Sequence, residues 1–216
     1  MLFDKPSLYF IMGTENCGGK EPLVLLGEAL EGGIDWFQLR EKGNGALTDS
    51  ALETFAKECQ ALCQAYSVPF IINDDVELAC RIDADGVHVG QDDMNCAEVR
   101  RRIGEDKILG VSVHSVVEAE RAKVAGAGYV GMGPVYGTQT KSDAKKPAGT
   151  EGIRSVSLQY PELPIVGIGG ITPENAGAVW EAGASSVAVI SSLAQADNIK
   201  GQIQRFRLSC KGGAPV

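Results

Sequence analysis

Short polar stretches, each following an apolar run, carry the side chains that could do chemistry. Gln38-Leu39-Arg40-Glu41-Lys42 follows Trp36-Phe37, and extended-chain alternation puts Gln38, Arg40 and Lys42 on one side. Arg40 offers a planar fork for a phosphate, and Lys42 a point charge. Asn73-Asp74-Asp75 follows Phe70-Ile71-Ile72, and Gln91-Asp92-Asp93 follows Val87-His88-Val89-Gly90. Two carboxylate pairs at neighbouring positions suit Mg²⁺, which takes one or two carboxylates, water and substrate phosphate. The same aspartates could equally N-cap the helices that follow, and spacing alone leaves both readings open.

Further along, Ser112 and His114 alternate to one side of Gly110-Val111-Ser112-Val113-His114. Ser115, with Glu118 three residues on, reads as a capping box. His114 is read as a structural hydrogen-bonder rather than a base, and His88, inside an apolar run, even more so. Thr138, Thr140 and Lys141 sit in the longest non-periodic stretch, 136–149, and suit either a phosphate or plain solvation. Ile168-Gly169-Gly170-Ile171 and Val189-Ile190-Ser191 end two later apolar runs, where backbone N–H groups could hold a second phosphate.

These stretches must be carried by a repeating scaffold. Strands are predicted at Leu8–Gly13, Trp36–Glu41, Phe70–Asp74, Gly86–Gly90, Ile108–His114, Tyr129–Val135, Ile165–Gly169 and Val187–Ser191. Amphipathic helices are predicted between them at Leu23–Leu30, Ser50–Tyr66, Glu98–Ile103, Glu118–Ala125, Glu174–Ala182 and Lys200–Leu208, with weaker patterns at Val76–Arg81 and Ile153–Tyr160. Strand–helix alternation requires parallel strands with right-handed crossovers. A loose repeat runs through Gly33-Ile34-Asp35, Ala84-Asp85-Gly86, Ala127-Gly128-Tyr129 and Ala184-Ser185-Ser186, each marking a helix end followed at once by a strand. The expected fold is a single (βα)8 (TIM) barrel domain over residues 1–216, with its chemistry at the carboxyl ends of the strands.

Composition narrows the partners. The net charge is −8, so broad attraction to nucleic acid or an anionic membrane is excluded, and an anionic ligand must be met by local cations, backbone and metal. The six cysteines form no C-x-x-C pair, and Cys59 and Cys63 read as buried helix thiols. Met1–Ser7 lacks the apolar stretch of a signal peptide, and no apolar run nears the ~18 residues of a membrane span, so a cytoplasmic setting is expected. Oligomeric state is not legible.

Taken in order, the segments resemble the thiamin-phosphate synthase family from about Leu8 to Leu193. The resemblance rests on Gln38-Leu39-Arg40-Glu41-Lys42, Ile72-Asn73-Asp74, Asp85 to Asp93, Gly110 to Ser115, Gly133-Pro134-Val135-Tyr136, Thr138-Gln139-Thr140-Lys141, Ile168 to Ile171, and Ala188 to Ser191. It implies a Mg²⁺-dependent transferase joining hydroxymethylpyrimidine diphosphate to thiazole phosphate with release of pyrophosphate. By resemblance, Gln38, Leu39, Arg40, Glu41, Lys42, Asn73, Ser112 and Lys141 bind the pyrimidine diphosphate, with Arg40, Ser112 and Lys141 closest to the reaction. Asp74 and Asp93 bind Mg²⁺, and Thr138, Gln139, Thr140, Gly170, Ile190 and Ser191 bind the thiazole phosphate.

Two positions depart from the family pattern. Asp75 stands where Arg is frequent, and Gly137 where Pro is frequent. Gly137 gives its loop more backbone freedom, so ordering on binding is expected there. The rival readings are a thiazole tautomerase on the same barrel, another phosphate-binding barrel enzyme, and an inactive binding protein. The tautomerase is disfavoured by Pro134, where that relative typically has a histidine.

Overall fold

The computed structural model describes Phe3 and residues 5–90, 95–137 and 147–210. Strands β1 (Ser7–Met12), β2 (Trp36–Leu39), β3 (Phe70–Asn73), β4 (Gly86–Val89), β5 (Ile108–Val113), β6 (Tyr129–Met132), β7 (Ile165–Ile168) and β8 (Ser186–Val189) form a closed parallel barrel in sequence order. β8 closes on β1 through Tyr9↔Ala188 and its neighbours. Helices α1 (Pro22–Gly32), α2 (Asp49–Ala65), α3 (Val76–Arg81), α4 (Cys96–Ile103), α5 (Val116–Val124), α6 (Glu151–Gln159), α7 (Ala176–Glu181), α8 (Ser191–Ala194) and α9 (Ile199–Ser209) follow or flank them. None is long and apolar enough to cross a membrane. The expected (βα)8 barrel is the fold observed.

Alternation along the strands sorts residues into two cores. Phe10, Phe37, Phe70, Val87, Val111, Val130 and Val187 point outward and pack under the helices in a large aliphatic and aromatic cluster. Cys59 and Cys63 are buried in that layer, and burial pushes both thiols up, Cys63 to about 12. Tyr9, Trp36, Ile71, Tyr129, Val166 and Ala188 point inward and form a separate cluster inside the barrel. Phe3 seals the floor, stacked on Trp36 at 4.6 Å and edge-on to Tyr129 at 5.8 Å.

The repeat read in the sequence has a structural job at that floor. Asp35, just before β2, accepts from the Leu8 N–H at 2.8 Å, and Asp85, just before β4, accepts from the Phe70 N–H at 2.8 Å. Each aspartate ties the start of its strand to the preceding one. Arg207 of α9 bonds the same Asp35 oxygen at 2.5 Å and fastens the last helix to the floor. Gly33 ends α1 in the left-handed region, φ 90°, as a helix C-cap.

The strands end earlier than predicted, so Arg40, Glu41, Asp74, Gly90 and His114 lie in the loops just beyond them. β6 stops at Met132, before Gly133 and Pro134, since proline has no N–H to offer a ladder. The other departures from expectation are local. A 3-10 turn at Thr14–Asn16 and the short α8 were not foreseen. The helix predicted from Glu174 starts at Ala176, after a turn in which the Asn175 side chain bonds Thr172 and Gly170.

Candidate active site at the barrel mouth

β2 delivers three polar side chains into the mouth, as its alternation requires. Gln38, Arg40 and Lys42 line one cavity together with Asn73, Asp74, His88 and Ser112. Arg40 is 9% exposed, a guanidinium held in the wall rather than splayed into water. Lys42 forms an ion pair with Asp74, and Asn73 donates to the same carboxylate at 2.7 Å. Asp74 has φ 62°, a left-handed backbone that aspartate tolerates better than most residues. The cavity therefore gathers two cations and one carboxylate from β2 and β3 at one rim.

The two aspartates after β3 divide their roles. Asp75 caps α3 by accepting from the Leu78 N–H at 2.8 Å, and Asp74 faces the cavity. The capping reading is thus realised by Asp75, and Asp74 is left facing the cavity. The second pair, Asp92 and Asp93, lies outside the described residues, as do Thr138, Gln139, Thr140 and Lys141.

Leu39 and Glu41 alternate to the other side of β2. Leu39 packs in the outer core. Glu41 takes the Thr14 N–H at 2.5 Å, the Thr14 hydroxyl at 2.9 Å and the Leu47 N–H at 3.0 Å. Its carboxylate clamps the loops after β1 and β2, so its side chain braces the rim from outside the cavity.

Ser112 of β5 lines the same cavity and bonds His88 Nε2 at 2.9 Å. His88 Nδ1 in turn meets the Tyr129 hydroxyl at 3.0 Å. His88, expected to be structural, is structural in this sense, but it also lines the cavity. His114 is exposed and bonds the Gly133 carbonyl at 3.1 Å. The capping box forms with a shift: Ser115 accepts from the Glu118 N–H at 3.2 Å, and Glu118 accepts from the N–H of His114 at 2.6 Å.

The opposite wall is made mostly of backbone. Gly169 and Gly170 have φ 103° and 63°, and a Cβ on Gly170 would lie 2.4 Å from the Gly137 carbonyl oxygen. The loop after β7 is thus pressed against the loop after β6 in a way only glycine allows. Asn175 braces it by donating to the Gly170 carbonyl at 3.0 Å and accepting from the Thr172 N–H at 2.8 Å. Tyr136 donates to the Asn175 carbonyl at 3.0 Å, joining both loops. Sequence reading missed Asn175; an Asn three residues after Thr172 was the available signal. Ile190 packs in the inner cluster and precedes Ser191, the first residue of α8.

The donor set can be tested against Mg²⁺. Asp74 supplies a hard, partly exposed oxygen, with its side chain 21% accessible, at the same rim as Arg40 and Lys42. No group of three or more His, Cys, Asp or Glu that could hold a metal occurs among the described residues. Mg²⁺ does not need one, since water and substrate phosphate complete its shell. The residues present fit that ion.

Comparison with known proteins identifies the family. The sequence profile described as thiamine monophosphate synthase matches residues 8–193. A thiamine-phosphate synthase from Bacillus mycoides is 58% identical over 191 residues, covering 88% of this chain and 86% of its own. One from Lysinibacillus sphaericus is 54% identical over 200 residues and 93% of each chain. The solved thiamine phosphate pyrophosphorylase from Pyrococcus furiosus superposes with a TM-score of 0.85 at 32% identity, over 98% of both chains. On the strength of a profile spanning most of its length and relatives above half identity, the chain belongs to the thiamine monophosphate synthase family.

Proposed function

We propose that the protein is a transferase coupling hydroxymethylpyrimidine diphosphate to thiazole phosphate, giving thiamin monophosphate and pyrophosphate. The observation that carries this reading is the convergence of Arg40, Lys42 and Asp74 at one rim of the barrel, in the cavity that Ser112 also lines. Two cations and a carboxylate suited to Mg²⁺ match a diphosphate far better than they match a neutral substrate.

The reaction breaks the bond between the exocyclic CH₂ and the diphosphate oxygen, whose electron pair leaves with pyrophosphate. The thiazole nitrogen forms the new C–N bond with its own lone pair, so no net proton is moved. The electron-rich aminopyrimidine stabilises positive charge at the CH₂, which favours early departure of the leaving group. Arg40 and Lys42 neutralise the charge that develops there. Asp74, joined in this reading by Asp93, would hold Mg²⁺, which would supply further charge neutralisation to the departing pyrophosphate. Gln38, Asn73 and Ser112 orient the pyrimidine, with Lys141 completing the diphosphate site. The strand-seven and strand-eight wall takes the thiazole phosphate through Gly170, Ile190 and Ser191, with Thr138, Gln139 and Thr140 from the neighbouring loop. Contacts from Leu39 and Glu41 to the ligand run through their main chain, since their side chains are engaged elsewhere. The whole chain acts as one domain on small molecules in a cytoplasmic setting.

The test is incubation with both phosphorylated heterocycles and Mg²⁺. Thiamin monophosphate and pyrophosphate should appear in equal amounts and only when both substrates are present. Isomerised thiazole phosphate without pyrophosphate would overturn the reading in favour of a tautomerase.

A further inference from the structure

The turn between β1 and α1 touches both walls of the mouth. It begins where Gly13 runs against Arg40: a Cβ on Gly13 would lie 2.2 Å from the Arg40 carbonyl oxygen, and the Arg40 N–H donates to the Met12 carbonyl at 2.8 Å. Thr14 then gives its N–H and its hydroxyl to the Glu41 carboxylate, at 2.5 and 2.9 Å. The Leu47 N–H is a further donor to the same carboxylate, at 3.0 Å. One half-buried carboxylate thus closes the loop after β2 on itself and pins it to the turn after β1.

The far end of the turn reaches the other wall. Lys20 Nζ donates to the Ala196 carbonyl at 2.6 Å, just past the end of α8, and Gly18 lies beside Gln195. The Gln195 and Ala196 N–H groups donate back to the Ser191 and Leu193 carbonyls, at 3.0 and 3.1 Å. The ammonium therefore holds the end of the short helix that starts at Ser191, through a charge-assisted hydrogen bond.

Between its ends the turn is tied to itself. The Asn16 N–H and the Cys17 thiol both donate to the Gly13 carbonyl, at 3.0 and 3.3 Å, and the Lys20 N–H donates to the Cys17 carbonyl at 3.0 Å. Cys17 is buried in the outer core, which anchors the middle of the turn. Thr14 and Lys20 are therefore two ends of one stiff unit. Alternation makes the first end matter to a ligand: Arg40 and Lys42 line the cavity, and Glu41 between them points to the turn. Holding the Glu41 carboxylate fixes the main chain from which both cations project, so they are set before the ligand arrives.

We infer that this turn is a strut with a separate duty at each end: Thr14, through the Glu41 side chain, positions Arg40 and Lys42 for the diphosphate, and Lys20 positions the α8 wall for the thiazole phosphate. Thr14, Lys20 and the Glu41 side chain are positioning residues. The kinetic part of this inference rests on the coupling reaction proposed above; the anchoring does not.

Glu41→Gln keeps the shape but turns one acceptor oxygen into a donor that faces donors. It should raise the pyrimidine diphosphate KM about ten-fold, and Thr14→Val, which loses only the hydroxyl bond, about three-fold. Both should leave the thiazole phosphate KM within about two-fold of the wild type. Lys20→Met should do the reverse, raising the thiazole phosphate KM about five-fold, and Lys20→Arg, which keeps a charged donor, should restore most of it. Equal rises in both KM values for Glu41→Gln or Lys20→Met, as general loosening would give, overturn the inference. Amide hydrogen exchange tests the anchoring without turnover. The Leu47 amide should exchange at least about ten-fold faster in Glu41→Gln, and the Gln195 and Ala196 amides in Lys20→Met, each with the other end unchanged. Unchanged exchange at those amides contradicts the strut whatever the protein's activity. Exchange as expected, beside a wild type that forms no thiamin monophosphate, upholds the strut and sinks the coupling reading.

Discussion

The two walls of the barrel mouth are built by opposite means. From β2 to β5 the mouth is made of side chains: Gln38, Arg40, Lys42, Asn73, Asp74, His88 and Ser112 all line one cavity. From β6 to β8 it is made of backbone, with Gly169 and Gly170 in left-handed conformations and loops pressed together where a Cβ would collide. The first wall works by placing charge, the second by leaving atoms out. Function on the first wall should therefore fail when atoms are removed, and on the second when atoms are added.

The largest effect is expected at Arg40. Arg40→Ala removes a charge-assisted fork from the wall, and kcat/KM should fall roughly 10³-fold in a steady-state pyrophosphate-release assay, by analogy with other groups that stabilise departing charge. Asp74→Ala should follow, with turnover down about 10²-fold and the Mg²⁺ half-saturation point raised, because one hard oxygen ligand is lost. An unchanged Mg²⁺ titration would remove Asp74 from the metal site. The same measurement applied to Asp93→Ala should give a similar loss.

On the backbone wall the addition of one methyl group is the informative change. Gly170→Ala puts a Cβ 2.4 Å from the Gly137 carbonyl at φ 63°. The loops must separate, and the thiazole phosphate KM should rise about ten-fold while the pyrimidine diphosphate KM moves little. A rise in both would show that the walls are not independent. Ser191→Ala subtracts a hydroxyl from the wall that works by backbone, so its effect on thiazole phosphate KM should stay below about three-fold. A larger rise would assign the binding to the hydroxyl.

The same contrast explains what could be read in advance. The side-chain wall was legible because period-two alternation marks Gln38, Arg40 and Lys42 as sharing a face, and because Asp74 follows an apolar run that must be a strand. The barrel itself was legible from the order of its elements. Spacing could not assign the cap to Asp75 and the cavity to Asp74, since adjacent aspartates look alike until the backbone turns at φ 62°. The hydrogen bonds that join Tyr9, Tyr129 and His88 inside the barrel were hidden for a different reason. Tyr9, His88 and Tyr129 come from β1, β4 and β6, and only closure of the sheet, with Gly110 vacating the space between two of them, brings them together. On the backbone wall, Gly169-Gly170 was visible as a signal, but the Asn175 brace depends on a turn that stands where the first residues of the helix were predicted.

The central claim is that the cations of the side-chain wall receive the diphosphate. Calorimetric titration of hydroxymethylpyrimidine diphosphate with Mg²⁺ into the wild type, Arg40→Ala and Ser191→Ala tests it without relying on turnover. The account predicts binding weakened at least about ten-fold by Arg40→Ala, the loss of one charge-assisted contact, and left unchanged by Ser191→Ala. Equal affinities for the wild type and Arg40→Ala would contradict it.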